Sequence, residues 1–284
     1  MKRRSFLSNS AKFGLSLFAL SFSGSLLANS YQNLKGKLMN LTQLAKQNFE
    51  KLFGKETPEL AKTDPEFFSA YINFAFDEVQ AHTKLSQKEQ LMLILGALIA
   101  SGGLSEYKII LKASLKQGIS PAEIKEILYQ STPYVGIGKA LEFILATNEL
   151  FKAENIAMPL AAASTTTREN RAQKGLEIQR KFFGEAIDKG NAAAPAEVKH
   201  IRTFLSAHCF GDFYTRKGLE LKFRELLTFV FVTALGGADA QVKAHIAGNL
   251  NIGNDKSVLI ATITALIPYI GYPRSLNALA LIEI

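Results

Sequence analysis

Lys88-Glu89-Gln90-Leu91 opens an apolar run that is followed by Gly118 and then by Pro133-Tyr134-Val135-Gly136. Arg224-Glu225-Leu226-Leu227 opens a second such run, followed by Gly253 and then by Pro268-Tyr269-Ile270-Gly271. The Gly-to-Pro spacing is 15 residues in both copies, and the Glu-to-Gly spacing is 29 in the first and 28 in the second. Agreement of this kind over about fifty residues marks a duplicated domain rather than a short-repeat solenoid. The length agrees, since 284 residues fit two domains on a prior of ~150 residues each.

Around those markers the chain reads as helix throughout. Ser86 precedes Gln87–Ser101, an apolar run suited to a buried helix, and Gly102-Gly103 makes a turn. A helix over Glu106–Gln117 ends at Gly118. Ser120-Pro121-Ala122-Glu123 then supplies an N-cap, a proline at N1 and an acidic N3, which together start another helix. That helix is expected to stop near Thr132-Pro133, and a last one runs from Gly136 to Phe151. The second copy repeats the order, with helices over Leu221–Leu235, Asp239–Ile252 and Asp255–Ile267 and a final one from about Pro273. The Ala/Ser/Thr-rich stretch Ala161–Thr167 has no helical stripe and reads as linker. No run of alternating β-branched residues bounded by turns is present. The expectation is an all-α chain of two tandem helical domains, 45–151 and 175–284, joined by 152–174.

Charge and composition narrow the partners. Charged residues are 20% and hydrophobic ones 48%, so the chain can build cores and does not read as disordered. The net charge is +8, but Lys2, Arg3, Arg4 and Lys12 carry four of those charges, leaving +4 on the rest. No Lys/Arg cluster interleaves with aromatics, so no nucleic-acid partner is expected. Residues 1–28 read as a signal peptide, with a basic Lys2-Arg3-Arg4 start, a short apolar stretch from Phe13 to Leu27 and Ala28 as the cleavage point. Arg3-Arg4-Ser5-Phe6-Leu7 resembles the twin-arginine signal that exports folded proteins. A periplasmic or otherwise exported location follows as an expectation. Cys209 is the single cysteine, so no internal disulfide can form, and it reads as a small buried apolar residue.

Phe210-Gly211-Asp212-Phe213-Tyr214-Thr215-Arg216-Lys217-Gly218-Leu219, with Arg224-Glu225-Leu226, Gly236-Gly237, His245, Gly253 and Tyr269-Ile270-Gly271-Tyr272-Pro273, resembles the carboxymuconolactone decarboxylase family. The resemblance covers nearly all of 175–284. Residues 45–151 resemble the same family more loosely, through Asp64-Pro65-Glu66-Phe67-Phe68, Lys88-Glu89 and Pro133-Tyr134-Val135-Gly136. The resemblance implies an all-α fold, assembly into a homo-oligomer (here a trimer of two-domain chains) and lyase chemistry on a small carboxylated lactone, with no cofactor or metal. A sister branch, the AhpD-type peroxidases, carries a Cys-x-x-Cys pair before the His. Here that place reads Gly237-Ala238-Asp239-Ala240-Gln241-Val242, and the first copy reads Gly103-Leu104-Ser105-Glu106-Tyr107-Lys108. Thiol peroxidation needs an attacking thiolate and a resolving partner, so that activity is disfavoured.

The second copy offers a site. Glu225 and His245 lie on consecutive helices either side of Gly236-Gly237. At ~1.5 Å per residue they stand roughly 18 Å and 12 Å from the turn, close enough in a hairpin for a glutamate side chain to bridge. A carboxylate beside an imidazole fixes its tautomer, as a general acid/base requires. Arg224 or Arg216 would bind a substrate carboxylate bidentately. Equally, His245 between Val242 and Ile246 fits a half-buried helix residue, and Glu225 a structural ion pair. In the first copy the His245 place falls on Ile110, and Glu89 is taken as the remnant of Glu225. That copy is therefore expected to be degenerate and to act as scaffold. Two functions stay open: an enzyme moving a proton or releasing CO2 from a small carboxylate, and a non-catalytic helical binding or assembly module.

Overall fold

The computed structural model describes residues 40–282, so the signal expected at 1–28 lies outside the described residues. Those residues are all helix and connection, with no strand among them. The first repeat holds α1 (Gln43–Phe53), α2 (Glu59–Thr63), α3 (Pro65–Asn73) and α4 (Val79–His82), with a π-helical turn, Phe74–Glu78, between α3 and α4. It continues with α5 (Gln87–Ser101), α6 (Leu104–Lys116), α7 (Pro121–Val135) and α8 (Ile137–Ala153). The second repeat holds α9 (Arg171–Phe183), α10 (Ala186–Ala192) and α11 (Lys199–Phe204), then a ten-residue π-helical segment, Leu205–Tyr214. It ends with α12 (Leu221–Leu235), α13 (Asp239–Asn251), α14 (Lys256–Ile270) and α15 (Tyr272–Leu281). Helices α5, α6 and α7 match α12, α13 and α14 residue for residue in length.

Local chemistry sets the boundaries. Ser86 with Glu89, and Ser120 with Glu123, form complete capping boxes at α5 and α7. Asp255 accepts from the Val258 N–H at the start of α14. Gly102, at φ 83°, closes α5 in the left-handed region that glycine enters without strain. Helices α7 and α14 do not stop at their prolines as expected. Each runs two residues past, to Val135 and Ile270, and ends at Gly136 or Gly271. A proline near a C-terminus removes one helical hydrogen bond, and the surrounding core holds the last turn in place. His82 ends α4 and is exposed.

The repeats interlock. Helix α5 packs on α12 and α14, and α12 packs on α7. The Gly96 Cα lies so close to α12 that a Cβ there would come within 2.7 Å of Leu227 Cδ1. One buried core therefore runs through both repeats, from Leu93 and Ile99 on α5 to Phe229 and Phe231 on α12. A smaller cluster of Phe182, Cys209, Phe210 and Tyr214 lies beside it, where α9 meets the π-helical segment. A Cβ on Gly175 would sit 1.8 Å from the Ser206 carbonyl oxygen, and one on Gly211 would sit 2.1 Å from that of Arg171. Only glycine allows this backbone approach, which turns Tyr214 toward Glu225 and Thr228 on α12 and Cys209 toward Tyr134 on α7.

Candidate active site

The two residues expected to pair do so. His245 Nδ1 lies 2.7 Å from Glu225 Oε1, with Glu225 fully buried and His245 8% exposed. Glu225 is the fifth residue of α12 and His245 the seventh of α13. Because a carboxylate only accepts, Nδ1 is the donor and Nε2 is the free base nitrogen of the neutral ring. The second carboxylate oxygen, Oε2, accepts from the Tyr214 hydroxyl at 3.2 Å. Asn249 braces the pair from below, donating to the Glu225 carbonyl at 3.1 Å and the His245 carbonyl at 2.7 Å. Asn254 in turn donates to Asn249 Oδ1 at 2.7 Å.

A hydroxyl network extends from Glu225. Tyr214 bonds to Thr228, and its hydroxyl meets that of Tyr134 at 2.9 Å. The Cys209 thiol donates to the Tyr134 hydroxyl at 3.5 Å. Burial raises the pKa of both tyrosines well above the ordinary range, so they stay protonated donors. Burial also pushes the Cys209 thiol up to about 12, which makes it the reverse of a reactive, low-pKa thiolate.

His245 lies on the wall of an open cleft of about 720 Å³, together with Tyr134, Phe183, Cys209, Gln179 and Arg202. The rings of Phe183 and Tyr134 meet the imidazole edge-on, at 5.6 and 6.1 Å between centroids. Several of these residues escape sequence reasoning. Tyr134 belongs to the Pro-Tyr-Val-Gly marker, which reads as a fold signature, yet α7 carries it from the first repeat into the second repeat's site. Arg202 and Gln179 stand on helices with no motif of their own.

Arg224 and Arg216 do not face this cleft. Arg224 is fully buried and donates to Glu126 Oε2 at 2.9 Å, to Gln130 Oε1 at 2.8 Å and to the Arg216 and Lys217 carbonyls. Arg216 Nε reaches both oxygens of Glu126, at 2.9 and 3.0 Å. The two arginines share one buried carboxylate from α7, so they tie the repeats together and are not free to bind substrate there. Arg202 is the cleft's own guanidinium, exposed and, among the described residues, without a side-chain partner.

Glu89 is not the remnant of Glu225. It closes the Ser86 capping box at the exposed start of α5. The fifth residue of α5, matching Glu225, is Leu91, and the seventh of α6, matching His245, is Ile110. Both are buried and apolar. Aligning Lys88-Glu89 with Arg224-Glu225 slips the register by two residues, because the motif is matched by residue type and the helices are matched by position. Among the described residues, no three His, Cys, Asp or Glu side chains gather as a metal site.

The carboxymuconolactone decarboxylase family model matches residues 65–149 and again 200–283, together more than half of the chain. The protein belongs to the carboxymuconolactone decarboxylase family. Its two matches fall one on each repeat, so the tandem arrangement is a duplication of the family's unit. The 4-carboxymuconolactone decarboxylase of Acinetobacter baylyi is 28% identical over 116 residues, which span 40% of this chain and 86% of that protein. The crystal structure named for a gamma-carboxymuconolactone decarboxylase subunit of Burkholderia xenovorans superposes with a TM-score of 0.50 at 18% identity. The superposition covers 84% of this chain and 94% of that one. At that identity it speaks for the shared fold alone.

Proposed function

We propose that this carboxymuconolactone decarboxylase family member is a lyase that removes CO2 from a small, lactone-type carboxylate, with His245 as acid/base and Glu225 as its orienting partner. The observation that carries the reading is the buried 2.7 Å Glu225–His245 pair opening on a cleft. A sealed histidine would have favoured a purely structural module. In the reaction, the bond to the departing carboxylate breaks and its electron pair moves into the conjugated carbonyl. His245, having taken a proton from solvent at Nε2, then delivers it to the carbon that lost CO2, and the neutral ring left behind is reprotonated by solvent for the next turnover. Glu225 stabilises the imidazolium and fixes the ring, and Tyr214 holds Glu225. Arg202 at the cleft wall is the group suited to a second substrate carboxylate.

The same reading includes export through Arg3-Arg4 and assembly into a homo-oligomer. Exposed Ile137, Leu141 and Leu145 on α8, and Tyr272 and Leu276 on α15, form apolar stripes of the kind a second copy covers. Changing Arg3-Arg4 to Lys-Lys should block export, and light scattering on the mature chain should report more than one copy.

The activity is tested by following CO2 release from 4-carboxymuconolactone. His245→Ala should cut the rate by about 10²–10⁴-fold, the range for a general acid/base. Glu225→Gln should cost less, and Glu89→Gln should cost nothing. Full activity in the His245→Ala chain would reject the assignment.

A further inference from the structure

On the other side of α7, Lys125 is buried where the second repeat carries an isoleucine. It is the fifth residue of α7, and the fifth of α14 is Ile260. The fold therefore does not require a cation at this position. Lys125 is 6% exposed. Its Nζ donates to the Asn148 side-chain oxygen and stands 5.5 Å from the Phe151 ring centroid and 6.0 Å from that of Tyr129. Among the described residues no carboxylate pairs with it. The adjacent one, Glu126, is held by Arg216 and Arg224. Burying an ammonium whose only partners are neutral costs free energy that an incoming anion would return, and burial lowers the Lys125 pKa accordingly.

Lys125 opens on a cleft of about 570 Å³ that shares no lining residue with the His245 cleft. That volume is within the range of small-molecule sites, ~300–1,000 Å³. Arg216 and Lys217 also line it, against the single carboxylate of Glu126, so the cleft is net positive. Most of the remaining wall is apolar, with Tyr129, Ile144, Met158 and Leu160, beside the polar Asn148 and Ser164. The Arg216 guanidinium lies 5.1 Å from the Tyr129 ring centroid, which holds that ring in place as a flat surface. One desolvated cation beside a flat apolar wall suits a ligand with one anionic end and a planar body.

We propose that this cleft is a second ligand site, in which Lys125 receives the carboxylate of a small planar aromatic or unsaturated acid whose body lies against Tyr129, Ile144 and Leu160. It does not depend on the decarboxylase reading and stands or falls without it.

Calorimetric titration with benzoate tests it. A carboxylate can also enter the acid/base cleft, so the titrated chain carries Arg202→Ala and His245→Ala. Benzoate should bind this chain saturably, with benzamide and inorganic phosphate each at least tenfold weaker. Adding Lys125→Met, which keeps the apolar stem and removes the charge, should weaken benzoate at least tenfold. Absence of saturable benzoate binding, or undiminished binding after Lys125→Met, would overturn the proposal. Phosphate binding as tight as benzoate would also overturn it, because the apolar wall would then contribute nothing. If Lys125→Met fails to fold, reductive methylation of the same double variant, read by peptide mass, takes its place. Saturating benzoate should slow Lys125 modification at least fivefold, and an unchanged rate would reject the site.

Discussion

Glu126→Ala probes what joins the two repeats. The Glu126 side chain is 3% exposed and accepts from Arg224, which is fully buried, and from Arg216. Removing it leaves the Arg224 guanidinium charged, because arginine does not give up its proton in proteins. Three neutral acceptors would remain, namely the Gln130 side chain and the carbonyls of Arg216 and Lys217. The Arg224 Nε, already without a partner, offers no compensation. Breaking a buried pair by deleting one member costs about 3–5 kcal/mol. At roughly 2–4 °C per kcal/mol for a domain of this size, the melting temperature should fall on the order of 10 °C. Glu126→Gln keeps the shape and an acceptor, so it should cost less. Adding Arg224→Met to Glu126→Ala should recover part of the loss, since the orphaned charge leaves with it. Chemical denaturation of the wild type, Glu126→Ala, Arg224→Met and the double variant, read as a double-mutant cycle, measures this. A cost below about 1 kcal/mol for Glu126→Ala, or simple additivity in the double variant, would refute the argument that this cluster holds the repeats together.

Gly248 gives a probe of the acid/base pair that changes neither member. A Cβ there would sit 2.3 Å from Glu225 Oε1 and 3.1 Å from Phe183 Cε1, so Gly248→Ala should displace the carboxylate. Turnover should drop at least tenfold while circular dichroism still reports a helical chain. Gly175→Ala should be far more damaging to the fold, because the new methyl meets the rigid Ser206 carbonyl; loss of the cooperative melt or of soluble expression is expected. Burial raises the Glu106 carboxyl above its ordinary pKa despite the Tyr71 hydrogen bond. The unfolded chain therefore ionises it at lower pH than the folded chain, and its contribution to stability is lost as pH rises through the folded value. Glu106→Gln, which still accepts from Tyr71, should raise the melting temperature by about 1–3 °C at pH 8 and give no gain at pH 4. Cys209→Ser should leave peroxide turnover at background, consistent with a thiol whose pKa burial raises.

Much of this protein is legible in one dimension. The repeated apolar runs and their glycine and serine punctuation fix the helices, and the boundaries of Gln87–Ser101 and Leu221–Leu235 match the structure to the residue. Capping is a local interaction between residues three apart, so sequence reveals it. The Glu225–His245 pair is also legible, since two consecutive helices and a tight turn leave little freedom in where their faces meet. Tertiary structure decided the rest. Tyr134 enters the site from the other repeat, more than a hundred residues from His245, and no local pattern reports that approach. Arg224 reads like a surface binding group, but the chain folds it against Glu126 from α7, and long-range burial made it structural. The ten-residue π-helical segment and the Gly175–Ser206 contact depend on a backbone approach that only packing produces. Local chemistry wrote the helices and the acid/base pair, whereas the walls of both clefts and the charges available inside them were set by which distant helices came to lie together.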